Sequence, residues 1–381
     1  MAWRRRRDVR EVPRDQIEVQ PADQSQSEAQ AGGPEMKELS WEDVVPVDTI
    51  GLEVGYKLIP LVDRAQGGQL MTRIKGVRKK LTQELGFLIP PVHIRDNLEL
   101  RPNAYRISIM GYTAGEAEIH VDRELAINPG QVFGQIEGLP GKDPAFGLDG
   151  VWIDPMKKDQ AQALGFTVVD AATVVATHLS AILQRHAAKL LGREEVQSLL
   201  ENLGKTNAKL AEELPDVVPH TIILRVLQNL LDENIPIRDL RTIAETLAEW
   251  GAKSQDPAVL TAQVRVALGR FIVQKINGMR PELPVIVLDP ELERLLQDAT
   301  NSAGDNGIGI EPGLAEKLHR SLAESAKRQE AAGEPAVVLV CAPIRNMLAR
   351  FVKHSIPDLY VLAYNEVPDD EQIRVVASIG K

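Results

Sequence analysis

Between residues 193 and 277 the sequence carries one apolar stripe after another at helical spacing, with no run that reads as a strand. Leu199, Leu200 and Leu203 form the first stripe, and Ile223, Leu227 and Leu230 the second. Leu240, Ile243 and Leu247 follow, then Leu260, Val264, Ala267 and Phe271. Pro236 and Ser254-Gln255-Asp256-Pro257 punctuate them. The stretch predicts a small helical domain. Beyond Pro281 and Pro284 the pattern changes. Buried strands are expected at 285–288, 336–340 and 359–362, with amphipathic helices between them and a final strand at 373–378. That is an α/β unit, and no internal repeat is visible.

The part before the helical block also mixes strands and helices. Residues 56–62 read as a strand. Residues 69–85 read as a helix with Leu70, Ile74, Val77, Leu81 and Leu85 on one stripe and Arg73, Lys75, Arg78, Lys79 and Lys80 on the other face. Gly86 ends it. A strand at 92–95 is followed by an alternating pair, 105–110 and the stretch to 121, with the turn placed at Thr113-Ala114-Gly115. Residues 129–150 read as loop, 151–153 and 166–169 as strands, and 156–164 as a short helix closed by Gly165. Asp170 caps a helix running to about 191, ended by Gly192, with Val175, Leu179, Ile182 and His186 on its buried stripe. Thr177 lies about 200° around the helix from Val175, off that stripe.

Charge and cysteine content narrow the function. The formal net charge is −10, so broad nucleic-acid binding is not expected. The single cysteine, Cys341, excludes an intrachain disulfide framework and multi-cysteine metal sites; ending an apolar strand, it is expected to be buried and inert. No run approaches the ~20 apolar residues that cross a bilayer. The opening Trp3-Arg4-Arg5-Arg6-Arg7 suits either the cytoplasmic flank of a membrane span or a solvated basic tail. Residues 15–37 cannot bury a core and read as a linker. Trp41, set among acids just after it, either packs at the edge of the first domain or belongs to a docking segment.

Nothing assembles a convincing active site. Gly304-Asp305-Asn306-Gly307-Ile308-Gly309 lacks the context of a dinucleotide loop, and no histidine pair has metal-ligand spacing. His93, Arg95 and Asp96 gather at a strand end, as a hydrogen-bonded turn or, alternatively, as a hydrolase-type cluster. Asp239 reads as a helix start. The most promising segment is Asp143-Pro144-Ala145-Phe146-Gly147-Leu148, a ring and an acid in a rigid loop. Phe146 either plugs a core or lines an apolar dimple to which Asp143 gives polar specificity.

Five segments together resemble a known family. They are Leu52-Glu53-Val54-Gly55-Tyr56-Lys57-Leu58-Ile59-Pro60, Pro91-Val92-His93-Ile94-Arg95-Asp96-Asn97, the Asp143 to Leu148 segment, Val174-Val175-Ala176-Thr177-His178-Leu179, and Val226-Leu227-Gln228-Asn229-Leu230-Leu231 with Ile235-Pro236-Ile237-Arg238-Asp239-Leu240. In order from residue 38 to 381, they resemble the cytoplasmic domain of the FlhA (FHIPEP) family of flagellar type III export-gate proteins, related to those of virulence injectisomes. The resemblance implies an α/β multidomain (α+β) fold. A thioredoxin-like first domain (51–121 plus 171–192) would be interrupted by a ferredoxin-like second domain (122–170). A helical third domain (193–278) and an α/β fourth (279–381) would follow, with 1–50 a juxtamembrane linker. The opening would then mark a truncation after a last membrane span, at the cytoplasmic face of the bacterial inner membrane. The implied role is a non-enzymatic docking platform in a ring of nine subunits. Its partners would be flagellar export chaperones with bound late substrates and other export-apparatus proteins, including the export ATPase complex; no cofactor and no metal is implied. By resemblance, Asp143, Phe146 and Thr177 would receive the chaperone, and Glu38, Trp41 and Asp43 would make inter-subunit linker contacts.

Overall fold

The computed structural model describes residues 44, 46–63, 68–303 and 310–380. Glu38, Trp41, Asp43 and the 304–309 glycine segment lie outside the described residues. Residues 1–46 form a separate unit, of which only Val44 and Pro46 are described, and Val47–Lys381 form one unit.

The first sheet is thioredoxin-like. Its chain order is β1 (Ile50–Val54), α1 (Ile59–Val62), α2 (Gln69–Leu85), β2 (His93–Asp96), β3 (Ala104–Ile109) and β4 (Tyr112–Glu118). The strands lie in the order β2-β1-β3-β4, with β1 and β2 parallel and the β3 and β4 neighbours antiparallel. The strand expected at 56–62 is instead a 3-10 turn, Tyr56–Leu58, followed by α1. Pro60 opens that helix, where its missing N–H costs no hydrogen bond. The expected turn at 113–115 lies inside β4. Met110 and Gly111 turn the chain instead, both with positive φ (48° and 82°), as a two-residue hairpin requires.

The chain then builds a second, ferredoxin-like sheet from β5 (Glu124–Ile127), β6 (Leu139–Lys142), β7 (Asp149–Ile153), α3 (Lys158–Ala163) and β8 (Thr167–Asp170). All neighbours are antiparallel, in the order β6-β7-β5-β8. The loop expected over 129–150 therefore contains a strand, β6. As an edge strand, β6 tolerates Pro140.

The chain returns to the first sheet through α4 (Ala171–Arg185) and α5 (Ala187–Leu190). Asp170 caps α4 as expected, accepting from the Thr173 N–H at 2.8 Å. The single helix expected to 191 breaks at His186, and Gly192 precedes the next helix, its N–H donating to the Glu195 carboxylate at 2.9 Å. Val174, Val175, Leu179 and Ile182 of α4 share one core with Leu52, Ile107, Leu125 and Trp152, so both sheets pack against this helix.

Helices α6 (Arg193–Gly204), α7 (Ala208–Val217), α8 (His220–Asp232), α9 (Leu240–Gly251), α10 (Pro257–Ala267) and α11 (Gly269–Asn277) form the helical block. Asp239 is the cap of α9 rather than part of its first turn, accepting from the Thr242 N–H. The last unit runs β9 (Glu282–Leu288), α12 (Pro290–Ala303), α13 (Pro312–Ala331), β10 (Ala336–Val340), α14 (Ala342–Val352), β11 (Leu359–Ala363) and β12 (Gln372–Ile379). Its sheet is wholly parallel, in the order β11-β10-β9-β12. A buried ion cluster joins it to the helical block. Arg265 of α10 grips Glu366 with two bonds (Nε to Oε1 2.8 Å, Nη2 to Oε2 2.6 Å) and Glu233 with a third (2.7 Å), and Arg345 of α14 makes a two-pronged pair with Glu233. Arg265 and Glu366 are only 2% and 3% exposed.

Candidate functional site

The β6–β7 hairpin ends in a turn over 143–148 whose geometry follows from its residues. The Asp143 N–H donates to the Leu148 carbonyl and the Gly147 N–H to the Asp143 carbonyl, both at 2.8 Å. The Phe146 N–H donates to Asp143 Oδ2 at 2.9 Å, the side-chain-to-backbone bond by which aspartate commonly organises a turn. Gly147 has φ +71°, a left-handed conformation that an L side chain resists. The result is an inversion of the usual order. The acid is 2% exposed while the phenylalanine ring is 70% exposed. Phe146 is therefore no core plug. Asp143 is a turn-organising group rather than a surface carboxylate. Leu139 and Leu148 of the same hairpin are also exposed.

On α4, Thr177 is half-buried, and the next residue, His178, is buried with Nδ1 2.8 Å from the Tyr105 hydroxyl. The Asp143 charge reaches both. Burial, and then that charge, push the Tyr105 hydroxyl up. Burial holds the His178 ring below its ordinary range, with Asp143 pulling it back up and Arg185 adding to the lowering. The charge of the turn's acid is thus felt at the α4 residue next to Thr177. Tyr105 and His178 were not singled out from the sequence as site residues, since a tyrosine in an alternating strand and a histidine on a buried face carry no spacing signal.

The alternative cluster does not assemble. His93 and Arg95 lie on one face of the edge strand β2 and both reach Asp48, at 3.5 and 2.7 Å, while Asp96 falls on the opposite face. His93 and Arg95 are exposed, as suits an open ion pair. Cys341 is half-buried rather than fully buried. Burial, then the Glu293 charge, raise its thiol, and its N–H donates to Glu293. Of the basic face on α2, Arg73 is bound to Asp170 at 2.5 Å and Arg78 to the Ile89 carbonyl at 2.7 Å. Among the described residues no group of three or more His, Cys, Asp or Glu could hold a metal ion, and no helix is long and apolar enough to cross a membrane.

A thioredoxin-like sheet, a ferredoxin-like sheet, a helical block and a parallel α/β unit make up the fold, with the Phe146 ring exposed on the second sheet's hairpin. The chain belongs to the FHIPEP family, whose sequence pattern matches residues 1–372. It is 50% identical over 344 residues to the flagellar biosynthesis protein FlhA of Escherichia coli K12, and 49% identical over 344 residues to that of Salmonella typhimurium LT2. Each alignment covers 90% of this chain and 49% of the relative, so the chain spans about half the length of the curated relatives it matches. Among solved structures it resembles the Chlamydia pneumoniae CdsV protein (TM-score 0.75, 24% identity, 90% of this chain and 100% of that one). It also resembles CdsV in its complex with CdsO (TM-score 0.78, 23% identity, 89% and 99%). The nonameric SctV-C of EPEC is a third (TM-score 0.70, 20% identity, 88% and 99%). At these identities the structures establish the shared fold.

Proposed function

We propose that this chain is the cytoplasmic docking platform of a flagellar type III export gate, at the cytoplasmic face of the inner membrane. It binds complexes of export chaperones with late substrates and makes or breaks no covalent bond in doing so. Family membership supports the export-gate role. The observation that carries the docking site is the exposed Phe146 ring on a turn whose own acid is buried. An unpaired aromatic held by a rigid turn loses little conformational freedom when a partner covers it, which suits an anchor. Asp143 fixes the ring's direction, and Thr177 on α4 lines the floor.

The nonameric relative supports a ring of nine subunits, and the CdsV complex with CdsO supports the binding of a further protein; in this reading such partners are other export-apparatus proteins, including the export ATPase complex. In this reading Glu38, Trp41 and Asp43 tether one subunit to its neighbour, and Trp41 competes with the chaperone for the site. Isothermal titration of the chain with a cognate chaperone–substrate complex tests the site. Phe146→Ala lowers affinity by about ten- to a hundredfold, the equivalent of one aromatic side chain left unburied. Equal affinity for wild type and variant would remove Phe146 from the site.

A further inference from the structure

The arm that carries Phe146 is held from within by a contact that docking alone leaves unexplained. β6 is the edge strand of its sheet, with β7 as its neighbour. The two run in register from Leu139 opposite Trp152, through Gly141 opposite Gly150, to Lys142 opposite Asp149, and the bond from the Asp143 N–H to the Leu148 carbonyl extends the ladder to the turn. Leu139, Pro140 and Lys142 are exposed, and Gly141 is the residue of β6 that is not. The Trp152 indole packs against it. A Cβ on Gly141 would stand 2.9 Å from both Cδ1 and Nε1 of the indole, so the ring reaches diagonally from β7 into the place of the missing side chain. Leu125 of β5 does the same at Gly150, where a Cβ would stand 3.0 Å from Cδ1. The indole cannot retreat. It is 3% exposed, and His120 meets it edge to face with centroids 5.3 Å apart. With Leu125 it belongs to the core that holds Val174, Val175 and Leu179 of α4.

We propose that Trp152 is a positioning residue of the docking arm. Its indole, set in the core shared with α4, fixes the tilt of β6 through Gly141, two residues before Asp143. It thereby fixes the direction in which Phe146 projects, without touching the docked partner. The glycine is there for the ring. Gly141 does not have a positive φ, so its backbone suits any residue, and an alanine there would otherwise stabilise the fold by restricting the unfolded chain. The indole is what stands against it. A close-packed interior leaves the ring little room to move, so a methyl group at 141 lifts the edge strand instead. The inference rests on the docking reading for its meaning, though not for its first test.

Amide hydrogen exchange on the whole chain supplies that test. In Gly141→Ala the Phe146 and Gly147 amides exchange about tenfold faster, because the arm opens locally. Amides of β10, in the parallel sheet of the last unit, keep their rates. The same alanine weakens affinity for the chaperone–substrate complex about tenfold, since the ring is no longer held ready. A second variant removes the obstacle. In Trp152→Phe the smaller ring frees the space at 141, so adding Gly141→Ala to it changes the exchange and the affinity by less than about twofold. Unchanged exchange at Phe146 and Gly147 in Gly141→Ala overturns the inference, as does equal acceleration throughout the chain. An equal effect of the alanine in both backgrounds also overturns it, because the indole would then not be what the methyl group meets. Gly141→Ala decides alone if Trp152→Phe does not fold. A wild-type chain that binds no chaperone complex defeats the docking reading, and the exchange rates still decide whether the indole sets the arm.

Discussion

The turn at 143–148 and the junction between helical block and parallel sheet both bury carboxylates, to opposite ends. At the junction, Glu366 and Glu233 are met by Arg265 and Arg345, and the polar atoms are spent on one another. At the turn, Asp143 spends its oxygen on the backbone of the very residue it pushes into water. The first arrangement ties four elements of distant sequence; the second leaves an apolar ring unsatisfied. Buried polarity in this molecule either closes a surface or prepares one.

The largest effect expected belongs to the junction. Glu366→Gln removes the charge that faces the buried Arg265 guanidinium and replaces one of its two carboxylate acceptors by an amide donor, and urea unfolding should show a loss of about 3–5 kcal/mol. A small loss would mean that the cluster is wetter than its geometry, and that the contrast with the turn is overdrawn. Phe146→Ala should do the reverse. It should alter stability by less than about 0.5 kcal/mol, since the ring covers little of the molecule itself, while docking falls as stated above. A marked drop in melting temperature would show the ring to be structural. Gly147→Ala sits between them. Its Cβ would enter open space, so only the left-handed backbone opposes it, and a cost of about 1 kcal/mol is expected from chemical denaturation.

Acid should separate the two regions by pH window. Burial lowers the folded pKa of His178 from the usual 6.5, so the stability that its neutral form contributes is full above that value and is lost as pH falls through the lower folded one. Arg185 adds to the lowering and Asp143 opposes it. Burial alone would raise Glu233, but the Arg345 hydrogen bond and the charges of Arg265, Arg345 and Lys353 outweigh it and hold the carboxyl below 4.5. Its contribution is present above 4.5 and disappears only in stronger acid. Urea midpoints followed against pH should therefore show a shallow decline beginning below about 6.5, flattened in His178→Asn, and a steeper one in stronger acid that the substitution leaves in place.

Much of the fold was legible because long periodic elements declare themselves. The stripe of α2, the capped start of α4 and the apolar strands of the parallel sheet stand where their residues imply. Short segments were harder. Tyr-Lys-Leu-Ile-Pro-Leu-Val is apolar enough for a strand, yet periodicity cannot distinguish a short buried strand from a helical turn. Leu139-Pro140-Gly141-Lys142 looks like loop, because the sequence does not show that it lies on a sheet edge. At the site, the Asp and Phe were visible as an unusual pair of residues. Which of them faces water was not, because that depends on a hydrogen bond of the acid to a neighbour's N–H. The Tyr105–His178 pair joins residues 73 positions apart, and only the folded sheet brings them together.

One consequence follows from the order of strands in the last sheet. β9 lies between β10 and β12, and β12 is contributed by residues 372–379, roughly ninety positions downstream of its partner. Until that segment leaves the ribosome, β9 offers a bare edge of unpaired amides on a newly made chain. The apolar Val285-Ile286-Val287-Leu288 run in it is the kind of sequence that another nascent copy can capture. The pace of translation between β9 and β12 thus bears on how much of the chain reaches its folded form.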